Sequence, residues 1–398
     1  MTFGNIPPFG RPRALVGRHD GVDVKHKFLI AIAGIVLFCM FSAGTALCGD
    51  PGSSGSEDAP ETFFRGRVVS VTDFDASHVF GFLEQEAEVQ ITGGPFKGKS
   101  VRVRNVYDED DPYLNVYLEE NDEILLVGTV ADGRLQTVDV HDVIRDRGLY
   151  YLLGIFVILL LGIGRIQGLK TLITLAFTGL VVVRGVIPLL LAGYSPIPVA
   201  TVSATVVIVF TLLVIGGINA KSFSAIVGTV CGVTVAGILA LWVGKLSSLT
   251  GFSSEEARML LFMDHPINVR GLLFAGIIIG SLGAVTDVGM SVASAASEIR
   301  AADPRIGVSR LVRAGMNVGR DIMGTMSNTL VLAYAGGALP LLLLLVGYEM
   351  EWLRIVNMDL IATEFVRGIA GSIGLIVSIP VTAMTAGFLM GAKSKDRP

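Results

Sequence analysis

Reactive side chains are scarce in this chain, which has 3 cysteines and 5 histidines in 398 residues. Cys39, Cys48 and Cys231 lie in or beside apolar segments and form no CxxC pair, so neither a disulfide framework nor a zinc site is supported. The histidines, His19, His26, His78, His141 and His265, enter no HExxH motif and no Ser-His-Asp order, and no cysteine nucleophile can be assembled. An enzyme is therefore the weaker class, and neither a metal nor a cofactor is expected. Charge is also thin, at 17% of residues against 52% hydrophobic, with a mean hydropathy of +0.65. That balance excludes an ordinary soluble globular protein. No internal repeat is visible, so an inverted-repeat transporter architecture is not indicated.

What the chain does contain is a series of apolar runs. They imply a polytopic α-helical membrane protein of about eight transmembrane helices, seven of them in a core, with a small extracytoplasmic all-β, barrel-like domain. Residues 1–27 form a basic tail with Arg11, Arg13, Arg18, Lys25 and Lys27. The apolar run 28–47 that follows reads as a signal anchor or first transmembrane helix, although Ala46-Leu47-Cys48 has the small-x-small form of a cleavage site. Residues 48–60 have linker composition, rich in Gly, Ser, Pro and acid.

Between residues 61 and 147, short alternating runs such as RGRVVSV, SVRVRNV and EILLVGTV are separated by Gly, Asp and Asn clusters. This pattern predicts a five- or six-stranded barrel of OB-like kind. Residues 50–148 hold 21 Asp plus Glu against 9 Lys plus Arg, which disfavours nucleic acid as a partner. Gly93 to Ser100 fits GxxxxGK[ST] letter for letter, yet the residues after it alternate as a strand. A phosphate loop needs a helix there, so the segment is expected to be a hairpin turn. The acid run Asp108-Glu109-Asp110-Asp111 has oxygen ligands for calcium, but it also has the composition of a solvated turn.

Seven further apolar segments, about 149–164, 171–192, 197–218, 223–244, 271–294, 327–347 and 368–390, make up a core spanning 149–392, with 393–398 as a second tail. An inside N-terminus puts sixteen basic residues on the inner side. Only Lys245, Arg258, Arg270, Arg354 and Arg367 then fall in the short outer loops. The positive-inside rule thus predicts a bacterial cytoplasmic (inner) membrane protein with both termini cytoplasmic. Ser253-Ser254-Glu255-Glu256 resembles a capping box ahead of a short amphipathic helix on the outer surface. Pro188, Pro198, Pro340 and Pro380 fall within apolar segments and predict kinked or broken helices.

Ionisable residues inside such segments are the candidate site. Asp287, Ser291, Ser294 and Glu298 share one helix face. In the next segment Val308, Leu311, Val312, Met316, Ile322, Met323 and Met326 form one face, and Arg310, Arg313, Asn317, Arg320, Asp321 and Asn328 the other. The candidate pathway is Asp287, Ser291, Glu298, Asn317, Arg320, Asp321 and Asn328. A purely structural alternative is an Asp287–Arg320 pair that holds the bundle together. Arg184, Asn219 and Lys221 are secondary candidates. Measured by helical rise from the inner ends of their segments, Arg184 lies about twenty ångström deep and Asp287 about six, so a direct pair needs tilt. Separate placement, with Arg184 snorkelling outward, is the alternative. Asn219 and Lys221 fit either a cytoplasmic vestibule or a helix end and an anchor.

The strings GSLGAVTDVGMSVASAASEI (280–299), GMNVGRDIMGTMSNTLVLAYAG (315–336) and GINAKS (217–222) resemble the YibE/F family of bacterial multi-pass membrane proteins, and the resemblance extends over residues 60–390. It implies a transporter-like architecture in which the family's acid and polar positions map to Asp287, Ser291, Glu298, Asn317, Arg320, Asp321 and Asn328. The expected function is a transporter or exporter of a small solute or ion. The alternative is a non-transporting scaffold whose β-domain binds a cell-envelope protein. The expected partners are the lipid bilayer, that solute or ion, such an envelope protein, and further copies of the chain in a homo-oligomer.

Overall fold

A computed structural model describes residues 61–74, 83–107, 116–131, 134–263 and 267–391. The expectations for the tails, the anchor, the linker and the acid run 108–111 lie outside these residues. The chain divides after residue 160 into two compact units.

In the first unit, β1 (Glu61–Phe74), β2 (Leu83–Ile91), β3 (Ser100–Tyr107), β4 (Glu123–Ala131) and β5 (Arg134–Val143) form one antiparallel sheet in the order β3-β2-β1-β4-β5. The edge strands β3 and β5 touch, so the sheet curls into a nearly closed, barrel-like form. The two-residue alternation drives this arrangement. Phe64, Gly66 and Val68 of β1 point inward with Ala87, Val89 and Ile91 of β2, while Arg65, Arg67, Glu86 and Glu88 point out. Gly66 is required where it stands, because a Cβ there would lie 2.5 Å from Val89 Cγ1.

The phosphate-loop look-alike is a hairpin loop joining β2 to β3, as the strand pattern after it requires. Gly98 N donates to Ile91 O, and Gly94 and Gly98 take positive φ. One buried polar group organises the interior. Gln85 donates to Leu118 O at 3.2 Å and accepts from Leu118 N at 2.9 Å and from Asn105 Nδ2 at 3.1 Å, tying residues 116–118 to β2 and β3.

The second unit is helical. Helix α1 is one run of 46 residues, Asp146–Leu191, whose N-terminal part lies in the first unit. It is broken at Arg165 (φ 48°, ψ −120°) and widened into a π-helical turn over Val181–Val186. The segments 149–164 and 171–192 therefore join end to end in one helical run. Each side of the break keeps roughly the twenty residues a bilayer crossing needs. Then come α2 (Pro196–Gly216), α3 (Ala220–Leu246), the short α4 (Glu255–Met259), α5 (Val269–Ala302), α6 (Val308–Gly337), α7 (Leu339–Gly347), the short α8 (Trp352–Val356) and α9 (Asp359–Met390). Among the described residues, five helices are long and apolar enough to cross a membrane. A sixth is added if α6 and α7, bent by 62°, form one span.

The prolines act unequally. Pro340 sits in the first turn of α7, just past the bend, whereas Pro380 lies inside α9 without interrupting it. Ser254 caps α4 by accepting from Ala257 N, and the helix exposes Met259, with Leu261 and Phe262 exposed just beyond it.

Helices α3, α5 and α9 form the centre, with α2 against α5 and α6 against α5 and α9. Small residues let them approach closely. A Cβ on Gly232 of α3 would lie 2.5 Å from Gly374 O of α9, and one on Gly374 would lie 2.6 Å from Gly232 O. Gly228 faces Thr382, and Gly289 of α5 faces Thr229. Val233, Val285, Val292, Leu375 and Ile379 fill the remaining space.

Two outcomes test this packing. Gly374→Ala should destabilise the helical unit by about 1–3 kcal/mol through overpacking. Gly276→Ala, whose Cβ meets nothing within 4 Å, should be neutral or gain up to about 1 kcal/mol of helix propensity. Thermal melts in detergent distinguish the two. In the β unit, Gln85→Leu leaves the buried Leu118 groups unpaired at about 1–3 kcal/mol, and hydrogen exchange at the Leu118 amide should accelerate.

Candidate functional site

The face of α5 that carries the acid is uncovered along most of its length. Gly276, Gly280, Gly283, Asp287, Ser291 and Glu298 are all exposed and recur every three or four residues down to Ser291, with Glu298 two turns further on. The opposite face, with Val285, Val288, Val292 and Ala296, is buried. Neighbouring helices touch α5 on either side of this stripe. The end of α2 meets it where Gly216 faces Met290, and α6 meets it where Gly315 faces Val292. At Gly280 the Tyr334 hydroxyl of α6 lies 2.7 Å from where a Cβ would stand, so this one side chain crosses the stripe.

Helix α5 does not end near residue 294 but continues to Ala302. By helical rise Asp287 lies about 27 Å from one end and about 22 Å from the other, near the middle. Among the described residues no hydrogen bond or ion pair reaches it. Neither the Arg184 pair nor the Arg320 pair is present.

Helix α6 is two-faced as its sequence predicts. Leu311, Gly315, Gly319 and Leu330 are buried, and Met316, Ile322, Met323 and Met326 pack against the core. Arg310, Arg313, Asn317, Arg320, Asp321 and Asn328 are exposed. Arg320 Nη1 donates to Asn317 Oδ1 at 3.2 Å, an interaction within its own helix. The antiparallel contacts of Gly280 with Tyr334 and of Val292 with Gly315 set Asp287 level with about residues 321–325 of α6. The two stripes therefore run along adjacent helices at matching heights, without direct bonds between them.

The secondary candidates separate. Asn219 is the N-cap of α3, accepting from Ser222 N at 2.9 Å and donating to Gly216 O at 2.7 Å. Both ends of its amide are occupied by the turn, so it is a helix end. Lys221 is half-buried in the first turn of α3. Arg184 is exposed on the π-helical turn. Such turns recur at functional positions because the widened backbone displaces one side chain and leaves a carbonyl short of its donor.

The structure also groups residues that sequence reasoning did not single out. Beside the bend between α6 and α7, Tyr334, Glu364 and Arg367 come together. Arg367 Nη1 donates to Glu364 Oε1 at 2.8 Å, and its guanidinium lies 5.8 Å from the Tyr334 ring centre. Two clefts adjoin them, of about 220 and 310 Å³, and Tyr334, Ala338 and Glu364 border both. The apolar run that begins at residue 368 leaves Arg367 just outside it, and α9 begins earlier, at Asp359, so both charges lie on the helix. Their i, i+3 spacing directly ahead of the apolar run was the available signal.

A family model described as YibE/F-like protein matches residues 152–392, which include all three resemblance strings but not the β unit. The resemblance read over residues 60–390 thus holds for the helices alone. No curated protein and no solved structure matches the chain.

If the α5 stripe is wetted, Ser291→Cys should react with a membrane-impermeant thiol reagent, while Ile376→Cys, exposed near the middle of α9, should not. Equal reactivity at both positions, or at neither, would mean that the stripe is no different from a lipid-facing surface.

Proposed function

The chain belongs to the YibE/F-like family, and from that premise we propose that this membrane protein transports or exports a small solute or ion along the polar stripes of α5 and α6. One observation carries the reading. Asp287 sits near the middle of a long apolar helix, exposed and with no partner among the described residues. A charge at the bilayer centre costs at least about 2.5–3.5 kcal/mol, so an unpaired acid there faces a hydrophilic space or is held by what passes through it.

The roles follow from chemistry and position. Asp287 takes up a proton or cation. Ser291 supplies a hydroxyl one turn away, and the glycines leave the backbone open to close approach. Glu298 marks the end of the stripe near Ala302. On α6, Arg320 attracts an anionic group, with Asn317, Asp321 and Asn328 as neutral and acidic neighbours. The bend at α6–α7, the break at Arg165 and the π-turn at Val181–Val186 supply places where helices can change angle and gate access. The basic residues favour a bacterial cytoplasmic membrane with both termini inside and the β-domain outside.

A second reading, a scaffold that binds an envelope protein, draws on the β-domain, whose surface exposes Phe63, Val69 and Tyr117. Deleting residues 60–146 separates the two. A scaffold loses its partner and its cellular effect, whereas a pathway through the helices retains flux.

The direct experiment is proton uptake by liposomes containing the full-length protein, followed with an entrapped pH dye under an imposed membrane potential. Asp287→Asn should lower the flux at least about tenfold, as expected for loss of a general proton acceptor. Undiminished flux in that variant removes Asp287 from the mechanism.

A further inference from the structure

The Tyr334, Glu364 and Arg367 group touches the α5 stripe only through the Tyr334 hydroxyl at Gly280 and has its own chemistry. The smaller cleft beside it is walled by Val331, Leu342, Phe365 and Ile369, all apolar. The larger one holds Arg367, with Glu364 at the border of the two. The Glu364–Arg367 contact uses one Nη1 and one Oε1, and Arg367 Nε remains buried without an acceptor. That Nε is closed off from any ligand, whereas Nη2 of the same partly exposed guanidinium has no acceptor among the described residues and can receive one from outside the protein.

Depth says what kind of acceptor is near. Helix α9 has 32 residues, or about 48 Å, so a hydrocarbon core of about 30 Å centred on it begins about 9 Å from its first residue. Glu364 and Arg367 stand about 8 and 12 Å from that end, at the level where headgroups meet acyl chains. Tyr334 beside them suits the same boundary.

We propose that these two clefts bind one phospholipid carrying a primary-ammonium headgroup. Its phosphate accepts from Arg367, its ammonium donates to Glu364, and an acyl chain lies in the cleft of Val331, Leu342, Phe365 and Ile369. Charge complementarity selects this class. The acid and the base together carry no net charge, as does a phosphoethanolamine headgroup. An anionic glycerol headgroup places its phosphate on Arg367 but offers Glu364 only a neutral hydroxyl donor and leaves the net negative charge uncompensated. A choline headgroup matches the signs but has no N–H to donate.

The test uses delipidated full-length protein in detergent, titrated with ethanolamine, choline and glycerol phospholipids of identical chains, with bound lipid counted by native mass spectrometry. The ethanolamine lipid should bind at least about tenfold more tightly than the glycerol lipid, the difference one charge-assisted hydrogen bond supplies. Glu364→Gln should erase both the preference over the glycerol lipid and the discrimination between ethanolamine and choline, and Arg367→Ala should weaken binding of all three lipids at least about tenfold, because the phosphate contact is common to them. Equal binding of the three lipids by the unaltered protein, or tighter binding of the glycerol lipid, overturns the proposal without reference to any variant. Undiminished binding of the three lipids by folded Arg367→Ala, or an unchanged ethanolamine preference in folded Glu364→Gln, overturns it as well.

Discussion

The helical unit depends on one contact, the mutual approach of α3 and α9 where Gly232 and Gly374 each stand against the other's carbonyl oxygen. In lipid, apolar side chains gain nothing by leaving one hydrocarbon environment for another, so helices associate through close van der Waals contact and weak Cα–H···O interactions. Both need backbones near each other, and a single methyl group prevents it. The same logic repeats at Gly228 with Thr382 and at Gly289 with Thr229, which locks α5 onto the pair. This tight centre leaves the interior of α3, α5 and α9 without space for a solute. The charged candidates Asp287, Glu298, Arg320 and Asp321 are therefore displaced to the outer face of α5 and to α6, while the centre buries, among the described residues, only small hydroxyls such as Ser222, Thr229, Ser378 and Thr382.

That displacement divides the unit into a part that holds still and parts that can move. The glycine-packed trio has continuous helices, and even Pro380 does not interrupt α9. The irregularities fall at its periphery: the break at Arg165, the π-turn around Arg184, and the 62° bend after Gly337. Each is a place where backbone hydrogen bonding departs from the α pattern and a change of angle costs least. Tyr334 links the two parts, since it stands one turn before the bend and its hydroxyl rests on the α5 stripe at Gly280.

Much of this arrangement was legible in the residue pattern, for local reasons. The two faces of α6, buried methionines against exposed arginines, follow from helical spacing, and the hairpin at Gly93–Ser100 follows from the strand alternation after it. The missing parts are those where hydropathy alone sets a boundary. Apolar runs mark the stretch that needs lipid, not the stretch that is helical, so α5 outran its run by eight residues beyond 294 and α9 began nine before 368. The first extension puts Asp287 at the middle of its helix, and the second places Glu364 and Arg367 on a helix ahead of its apolar run. The joining of 149–164 to 171–192 was equally invisible, because it depends on Arg165 taking a positive φ, which no spacing announces.

The two sets of membrane-embedded charges obey one energetic rule in opposite ways. Near the headgroup boundary water and lipid phosphates are within reach, yet Glu364 and Arg367 are paired, at side-chain exposures of 23% and 30%. On the proposed placement, with the middle of α5 at mid-depth, Asp287 has no partner among the described residues although α6 brings Arg320 to a similar height. A protein under pressure only to be stable would reverse this, because an unpaired central acid costs more than an unpaired boundary one. Replacing it by Asn or Leu would be the simpler structural solution. That an unpaired carboxylate stands at the middle of α5, on a face kept open by glycine and flanked rather than covered by α2 and α6, is the physical argument behind the proposed pathway.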